Sequence, residues 1–419
     1  MRRFRAFLHE ATKASGAVEF MSRRDCCSGH SLGLEKRTWS GQLPFPSRLP
    51  YNFCGAGGGD RIQYCSLAES ISLSVEDKPR YGVAADDAIF AAAGIPLATL
   101  AGHPLGPNRG TPLNLDWVKQ VRVNTSAVER RAQSHVARRT VKKDWQAAWL
   151  LRAVTCMDLT TLSGDDTEER VRRLCAKARH PIQHELEKQL GIEELQIKVA
   201  AACVYHTFVE TAVRALEGSG VRVAAVSTGF PAGLSPLAER VAEIRRSLEA
   251  GADEIDVVIT RAHVFGGRWQ ALYDEIAAFR QACGPAHMKV ILGTGDLLTL
   301  RNVARASFVA MMAGADFIKT STGKEPTNAT LPVGFVMARC IREYAQETGM
   351  AVGFKPAGGI RTAKQSTEWL ALMKEELGTP WMKAELFRLG ASSLLNDIER
   401  QLEHYATGRY SADYRHPIA

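Results

Sequence analysis

The segment ADFIKTSTGK at 315–324 places two lysines on either side of a Thr-Ser-Thr-Gly turn. Lys319 closes a short apolar run, and burial at such a position disfavours the ammonium and lowers its pKa. An amine held partly neutral is a nucleophile that condenses with a carbonyl to give a Schiff base. Beyond the turn, Gly323 and Lys324 offer backbone N–H groups and a cation, which suits a phosphate. The segment therefore reads as amine chemistry beside an anion grip. A strand-end lysine paired with a carboxylate for structural reasons is the alternative, and this segment alone does not separate the two.

Such groups need a frame, and from residue 151 onward the chain supplies a regular one. Apolar runs at 153–157, 198–204, 222–227, 254–259, 288–292, 316–318, 351–354 and 386–389 read as strands. Amphipathic segments at 167–178, 236–250, 269–283, 298–313, 332–348 and 362–377 read as the helices between them. Asp165 or Asp166 would cap the first helix and Ser235-Pro236 a later one, while Gly251, Gly314, Gly349 and Gly378 suit left-handed stops. Short apolar strands each followed by a helix predict a parallel sheet buried on both faces. Eight such units over 151–419 fit an α/β fold, a closed (β/α)8 TIM barrel, whose typical size is ~250 residues. No G-x-G-x-x-G follows the first strand, which counts against an open dinucleotide-binding sheet. Barrels of this kind carry their reactive groups at the C-terminal strand ends. Those ends include Asp158, Cys203, Asp256, Thr294, Lys319, Lys355 and Ser392. Two lysines and an aspartate thus converge on one mouth. Gly323 with Lys324, Gly358 with Gly359, and Ser392 with Ser393 follow consecutive strands and together suit a phosphate.

The rest of the composition narrows the partners. Of 419 residues, 45% are hydrophobic and 23% charged, the balance of a globular protein. The net charge of +8 suits nucleic acid or an anionic substrate, but no basic run is interleaved with aromatics, so no nucleic-acid partner is expected. The densest basic patch, 138–143, reads as a solvated helix face. Nine scattered cysteines without a CxxC pair predict free thiols in a reducing compartment. His180 and His184 have helical spacing, but Pro181 lies between them and no HExxH occurs, so no metal site is expected.

Residues 1–108 lack periodicity and read as a flexible, disordered extension, with a glycine-rich piece at 55–59. Their basic opening is weakly like an organelle leader, but Glu10 and Glu19 spoil the acid-poor pattern. The expected location is cytoplasmic, with organelle targeting left open. The apolar run 88–101 is too short to span a bilayer and contains Pro96, so no membrane partner is expected. Residues 109–150 form a helical lead-in, with helices at 125–139 and 141–151. Trp145 and Trp149 lie at i, i+4 and read as core packing.

Six motifs then carry a resemblance. DLTTLSGDD (158–166), GFPAG (229–233), GADEIDVVI (251–259), DFIKTSTGK (316–324), GFKPAGGIR (353–361) and LGASSLL (389–395) closely resemble those of eukaryotic-type deoxyribose-phosphate aldolases. These are class I aldolases on a (β/α)8 barrel, and the resemblance runs from about residue 110 to the C-terminus. It implies reversible cleavage of 2-deoxy-D-ribose 5-phosphate to acetaldehyde and D-glyceraldehyde 3-phosphate, in deoxyribonucleoside catabolism. The implied partner is a small sugar phosphate, with no cofactor; a homo-oligomer is left open. By the same resemblance Lys319 is the Schiff-base lysine, Lys355 the second lysine and Asp256 the proton relay. Asp158, Thr160, Cys203 and Thr322 are implied substrate contacts. Gly323, Lys324, Gly358, Gly359, Ser392 and Ser393 are the implied phosphate set. Some members end on a tyrosine that reaches the site; neither Tyr410 nor Tyr414 is assigned that role. Two rivals remain, a Schiff-base barrel aldolase with another sugar phosphate and a non-catalytic phosphosugar-binding homologue. The intact Lys319, Lys355 and Asp256 speak against the second.

Overall fold

A computed structural model describes residues 107–417 apart from Arg139. The expected extension up to residue 106 lies outside the described residues, as do its leader-like opening, its apolar run and Cys26, Cys27, Cys54 and Cys65. Asn108, grouped with that extension by sequence, is instead buried in the barrel body. Its side-chain amide donates to the Met311 and Ala315 carbonyls at 2.9 Å, and its N–H to the Asp316 carboxylate at 2.6 Å.

The lead-in consists of α1 (Leu115–Gln120), α2 (Thr125–Arg138) and α3 (Lys143–Thr155). Asn114 caps α1 by accepting the Trp117 N–H. Helix α3 continues through Ala153 and Val154, so the run at 153–157 is not a strand and β1 (Met157–Thr160) begins later. The reason is that a short apolar run suits a buried helix as well as a buried strand, and every residue from Ala147 to Val154 is buried. The basic patch at 138–143 is likewise not one helix face: it spans the turn from Arg138 at the end of α2 to Lys143 at the start of α3. Trp149 packs in the core, but Trp145 is 41% exposed.

After β1 come α4 (Glu168–Arg179), α5 (His184–Leu190), β2 (Ala201–Tyr205), α6 (Val209–Leu216), β3 (Arg222–Ser227) and α7 (Leu237–Glu249). The next units are β4 (Glu254–Val258), α8 (Arg261–Phe265), α9 (Trp269–Cys283), β5 (His287–Ile291) and α10 (Leu300–Met312). The chain closes with β6 (Phe317–Lys319), α11 (Leu331–Thr348), β7 (Gly353–Lys355), α12 (Ala363–Glu376), β8 (Leu389–Ala391) and α13 (Leu394–Thr407). Thr167, rather than either aspartate, caps α4 by accepting the Arg170 N–H. Asp166 is occupied by Thr161 and the Ser163 N–H. His180 ends α4 and His184 opens α5, so they do not share a helix face.

The eight strands pair in parallel in the order β7-β6-β5-β4-β3-β2-β1-β8. Parallel bridges Phe354↔Phe387 and Ala357↔Gly390 join β7 to the β8 segment and close the barrel. Outward residues such as Ile255, Val257, Met288, Val290, Ile318 and Phe354 belong to the main apolar core between sheet and helices. The alternation of strand side chains sends their neighbours into the barrel, and there the chemistry changes. No helix among the described residues is long and apolar enough to cross a membrane.

Candidate active site

The inward positions of β4–β8 and β1 are largely ionisable. Glu254 and Asp256 are two apart on β4, Lys289 lies on β5, Lys319 on β6, Lys355 on β7 and Asp158 on β1. Arg388 enters just ahead of β8, and each of these seven residues is at most 2% exposed. Neighbouring glycines leave space for Phe317 and for Lys355. A Cβ on Gly353 would lie 2.4 Å from the Phe317 ring, and one on Gly390 would lie 3.3 Å from Lys355 Cε.

Asp256 is the hub. Its Oδ2 is 2.7 Å from Nζ of both Lys319 and Lys355, which are register partners on adjacent strands. Its Oδ1 accepts from Lys289 at 3.0 Å, and Lys289 also bonds Glu254. Asp158 receives Lys355 at 2.5 Å on Oδ2 and Arg388 at 2.6 Å on Oδ1. Arg388 then reaches Glu254 at 2.7 Å.

Burial would neutralise all of these groups, but their partners decide otherwise. Burial is the largest influence on Asp256, raising it, yet Lys289, Lys319 and Lys355 together hold it well below the usual carboxylate range. Lys355 also pays the burial penalty, and the Asp158 and Asp256 carboxylates overcome it, so its pKa is raised. In Lys319 burial wins: aided by the Lys355 ammonium and opposed by Asp256, it lowers the pKa. Asp158 and Glu254 are lowered and Lys289 is raised, so all three are charged. Three buried carboxylates therefore face three buried cations without Lys319. A fourth interior cation would be in excess. The arrangement favours a neutral amine on Lys319 beside a charged one on Lys355.

Above this layer opens a cavity of about 310 Å³. It is walled by Lys319 and Lys355 at its floor, Thr160 at the end of β1, Thr322, Gly323 and Lys324 after β6, Gly358 and Gly359 after β7, and Ser392 and Ser393 after β8. Gly358 and Gly359 have φ of +81° and +82°, and Asn328 packs so close to Gly358 that a Cβ there would meet it at 2.7 Å. Ser393 stands at the N-cap of α13, whose first-turn N–H groups face an anion favourably. Asp158 and Asp256 are fully buried and do not wall the cavity. Asp158 spends its oxygens on Arg388 and Lys355. Cys203 is also buried, in a small apolar cluster with Leu162, Ala201, Ala224 and Val226, and burial raises its thiol pKa. Tyr410 stacks on His404 and Tyr414 is 87% exposed; neither lines the cavity.

Sequence alone missed Lys289, Glu254 and Arg388. The signal was available: each is an ionisable residue in an apolar run, the pattern that singled out Lys319.

A family model described as DeoC/LacD family aldolase matches residues 152–399. The deoxyribose-phosphate aldolase of Homo sapiens is 59% identical over 314 residues, 74% of this chain and 99% of that one. That of Mus musculus is 59% identical over 313 residues, covering 74% and 98%. Among solved structures, a provisionally named deoxyribose-phosphate aldolase from Toxoplasma gondii shares the fold with a TM-score of 0.53 at 21% identity. It covers 63% of this chain and 96% of that one.

Proposed function

This chain belongs to the DeoC/LacD family of aldolases, and on that premise we propose that it cleaves 2-deoxy-D-ribose 5-phosphate reversibly to acetaldehyde and D-glyceraldehyde 3-phosphate. The observation that carries the chemistry is the shared Asp256 oxygen, 2.7 Å from two lysines whose pKa values move in opposite directions. Lys319 attacks the C1 carbonyl, and loss of water from the carbinolamine gives an iminium. Asp256 and Lys355 pass the protons this requires. Asp256, through Lys355, takes up the C3 hydroxyl proton as the C2–C3 bond breaks. Its electron pair flows into the iminium, leaving an enamine on Lys319 and releasing the C3 fragment as glyceraldehyde 3-phosphate. Protonation of the enamine at C2 and hydrolysis of the new iminium free acetaldehyde and restore the amine. Lys355 remains an ammonium throughout the neutral range and keeps Lys319 reactive.

The cavity supplies the rest. Lys324, the Gly358-Gly359 turn and the start of α13 receive the phosphate, and Thr160 and Thr322 contact the sugar. Cys175, Cys203, Cys283 and Cys340 are free and buried, which supports a reducing, cytoplasmic setting.

Borohydride reduction in the presence of acetaldehyde tests the assignment. It should fix an ethyl group on Lys319, located by peptide mass spectrometry, and Lys319→Ala should abolish it. A label on Lys355 in the unmutated protein would reverse the roles of the two lysines.

A further inference from the structure

The loop after β6 hides a carboxylate that the reaction does not use. Glu325 accepts the Thr322 N–H at 3.0 Å, the Gly323 N–H at 3.1 Å and the Thr322 hydroxyl at 2.7 Å. The Thr322 hydroxyl oxygen in turn accepts the Lys324 N–H at 3.1 Å. Glu325 itself does not wall the cavity, whereas Thr322, Gly323 and Lys324 do. Two amides of a turn suited to phosphate are therefore already filled by the chain's own anion, from behind.

We propose that Glu325 is a positioning residue for phosphate recognition: it occupies the Thr322 and Gly323 amides and aims Lys324 into the cavity. Backbone N–H groups converging on a carboxylate make the same charge-assisted bonds that they would make to a phosphate oxygen. A dianionic substrate thus finds the β6 loop saturated and takes from it only the Lys324 ammonium. Its N–H donors come from the β7 and β8 loops, at Gly358, Gly359, Ser392 and Ser393. The same residue ties those loops together. The Glu325 carbonyl accepts from Asn328 Nδ2 at 2.9 Å, and Asn328 is the side chain packed against Gly358. The Ala329 N–H donates to the Gly358 carbonyl at 3.4 Å. The glutamate side chain so sets the height of the lysine, while the backbone carbonyl of the same residue holds Asn328 against the neighbouring turn. The ligand class is a sugar phosphate monoester, which rests on the function proposed above.

Amide NMR of the full chain, titrated with inorganic phosphate, tests the placement without assuming any substrate. The Gly359 and Ser393 amides should shift while those of Thr322 and Gly323 stay fixed. Shifts of Thr322 and Gly323 as large as those of Gly359 would mean that phosphate displaces Glu325, and would overturn the proposal. Kinetics test the consequence. Glu325→Ala should raise KM for 2-deoxyribose 5-phosphate at least fivefold, leave kcat within twofold, and leave KM for unphosphorylated 2-deoxyribose unchanged. Glu325→Gln keeps an acceptor oxygen and should restore KM to within twofold. Equal losses on both sugars, or no rescue by glutamine, would assign Glu325 to general loop stability instead. If no form cleaves the sugar phosphate, the substrate assignment fails while the amide pattern still decides the role of Glu325.

Discussion

On the mechanism we propose, Lys355 serves the reaction more as a charge than as a proton carrier. Free Lys319 must be neutral to attack, so kcat/KM should rise with pH through its lowered pKa. The raised pKa of Lys355 keeps its ammonium in place well above that rise. Lys355→Leu removes the neighbouring cation, so the pKa of Lys319 climbs and the rising limb moves to higher pH. Loss of ~3 kcal/mol of stabilisation corresponds to more than a hundredfold in rate. A pH–rate profile of the variant checks this, and an unmoved limb would show that burial alone lowers Lys319. The two lysines were legible in the sequence because each ends an apolar run at the expected barrel mouth; Asp256, taken with them as a strand end, lies instead in the middle of β4. Lys289, Glu254 and Arg388 obey the same alternation one layer deeper, where the clue is an ionisable residue in an apolar run with no partner visible locally. Their partners lie on other strands, as far apart as Glu254 and Arg388, and no local pattern announces that pairing. Glu325 was legible only as a residue next to Lys324, since its acceptor role depends on how the turn folds back.

At the level of elements, strand β7 works because it is small where its neighbour is large. Gly353 faces Phe317, and a Cβ there would come within 2.4 to 2.6 Å of three ring carbons. Phe317 is buried and precedes Lys319 by two residues on β6, on the same face. Gly353→Ala should therefore cost about 1–3 kcal/mol of stability through overpacking. It should also lower kcat, because a displaced ring disturbs the strand that carries Lys319 two residues on. Urea denaturation and steady-state kinetics on the same preparation read both; a neutral effect would mean that the ring has room to move. Element boundaries were readable wherever a strand or helix had one consistent period, as in β3 and α9. The first strand was misplaced because Leu150 to Val154 are buried all round within α3, and burial erases the amphipathic contrast that separates helix from strand.

At the scale of the molecule, the described residues form a closed barrel with the lead-in pinned to it. Asn108 fastens the beginning of that lead-in to Met311, Ala315 and Asp316 at the base of β6. Tyr273 adds a bond to the Thr111 carbonyl at 2.9 Å. We propose that the chain before this point is dispensable for catalysis, and that a chain beginning at Pro107 folds and cleaves substrate at an unchanged rate. A chain beginning at Gly110 loses the Asn108 ties and should melt at lower temperature; calorimetry of the two distinguishes them. Insolubility of the longer one would place residues 1–106 within the folding unit. Inside the barrel, Arg388 answers to Asp158 on β1 and to Glu254 on β4 at once. Removing one member of such a set strands a charge on the others, whereas replacing several together need not. The interior is thus hard to alter by single steps during divergence, since most first substitutions are penalised before a second can compensate. Descendants of this chain that acquire new substrates have an easier route through the loops above, where Glu325 and Lys324 can change without disturbing the charges beneath.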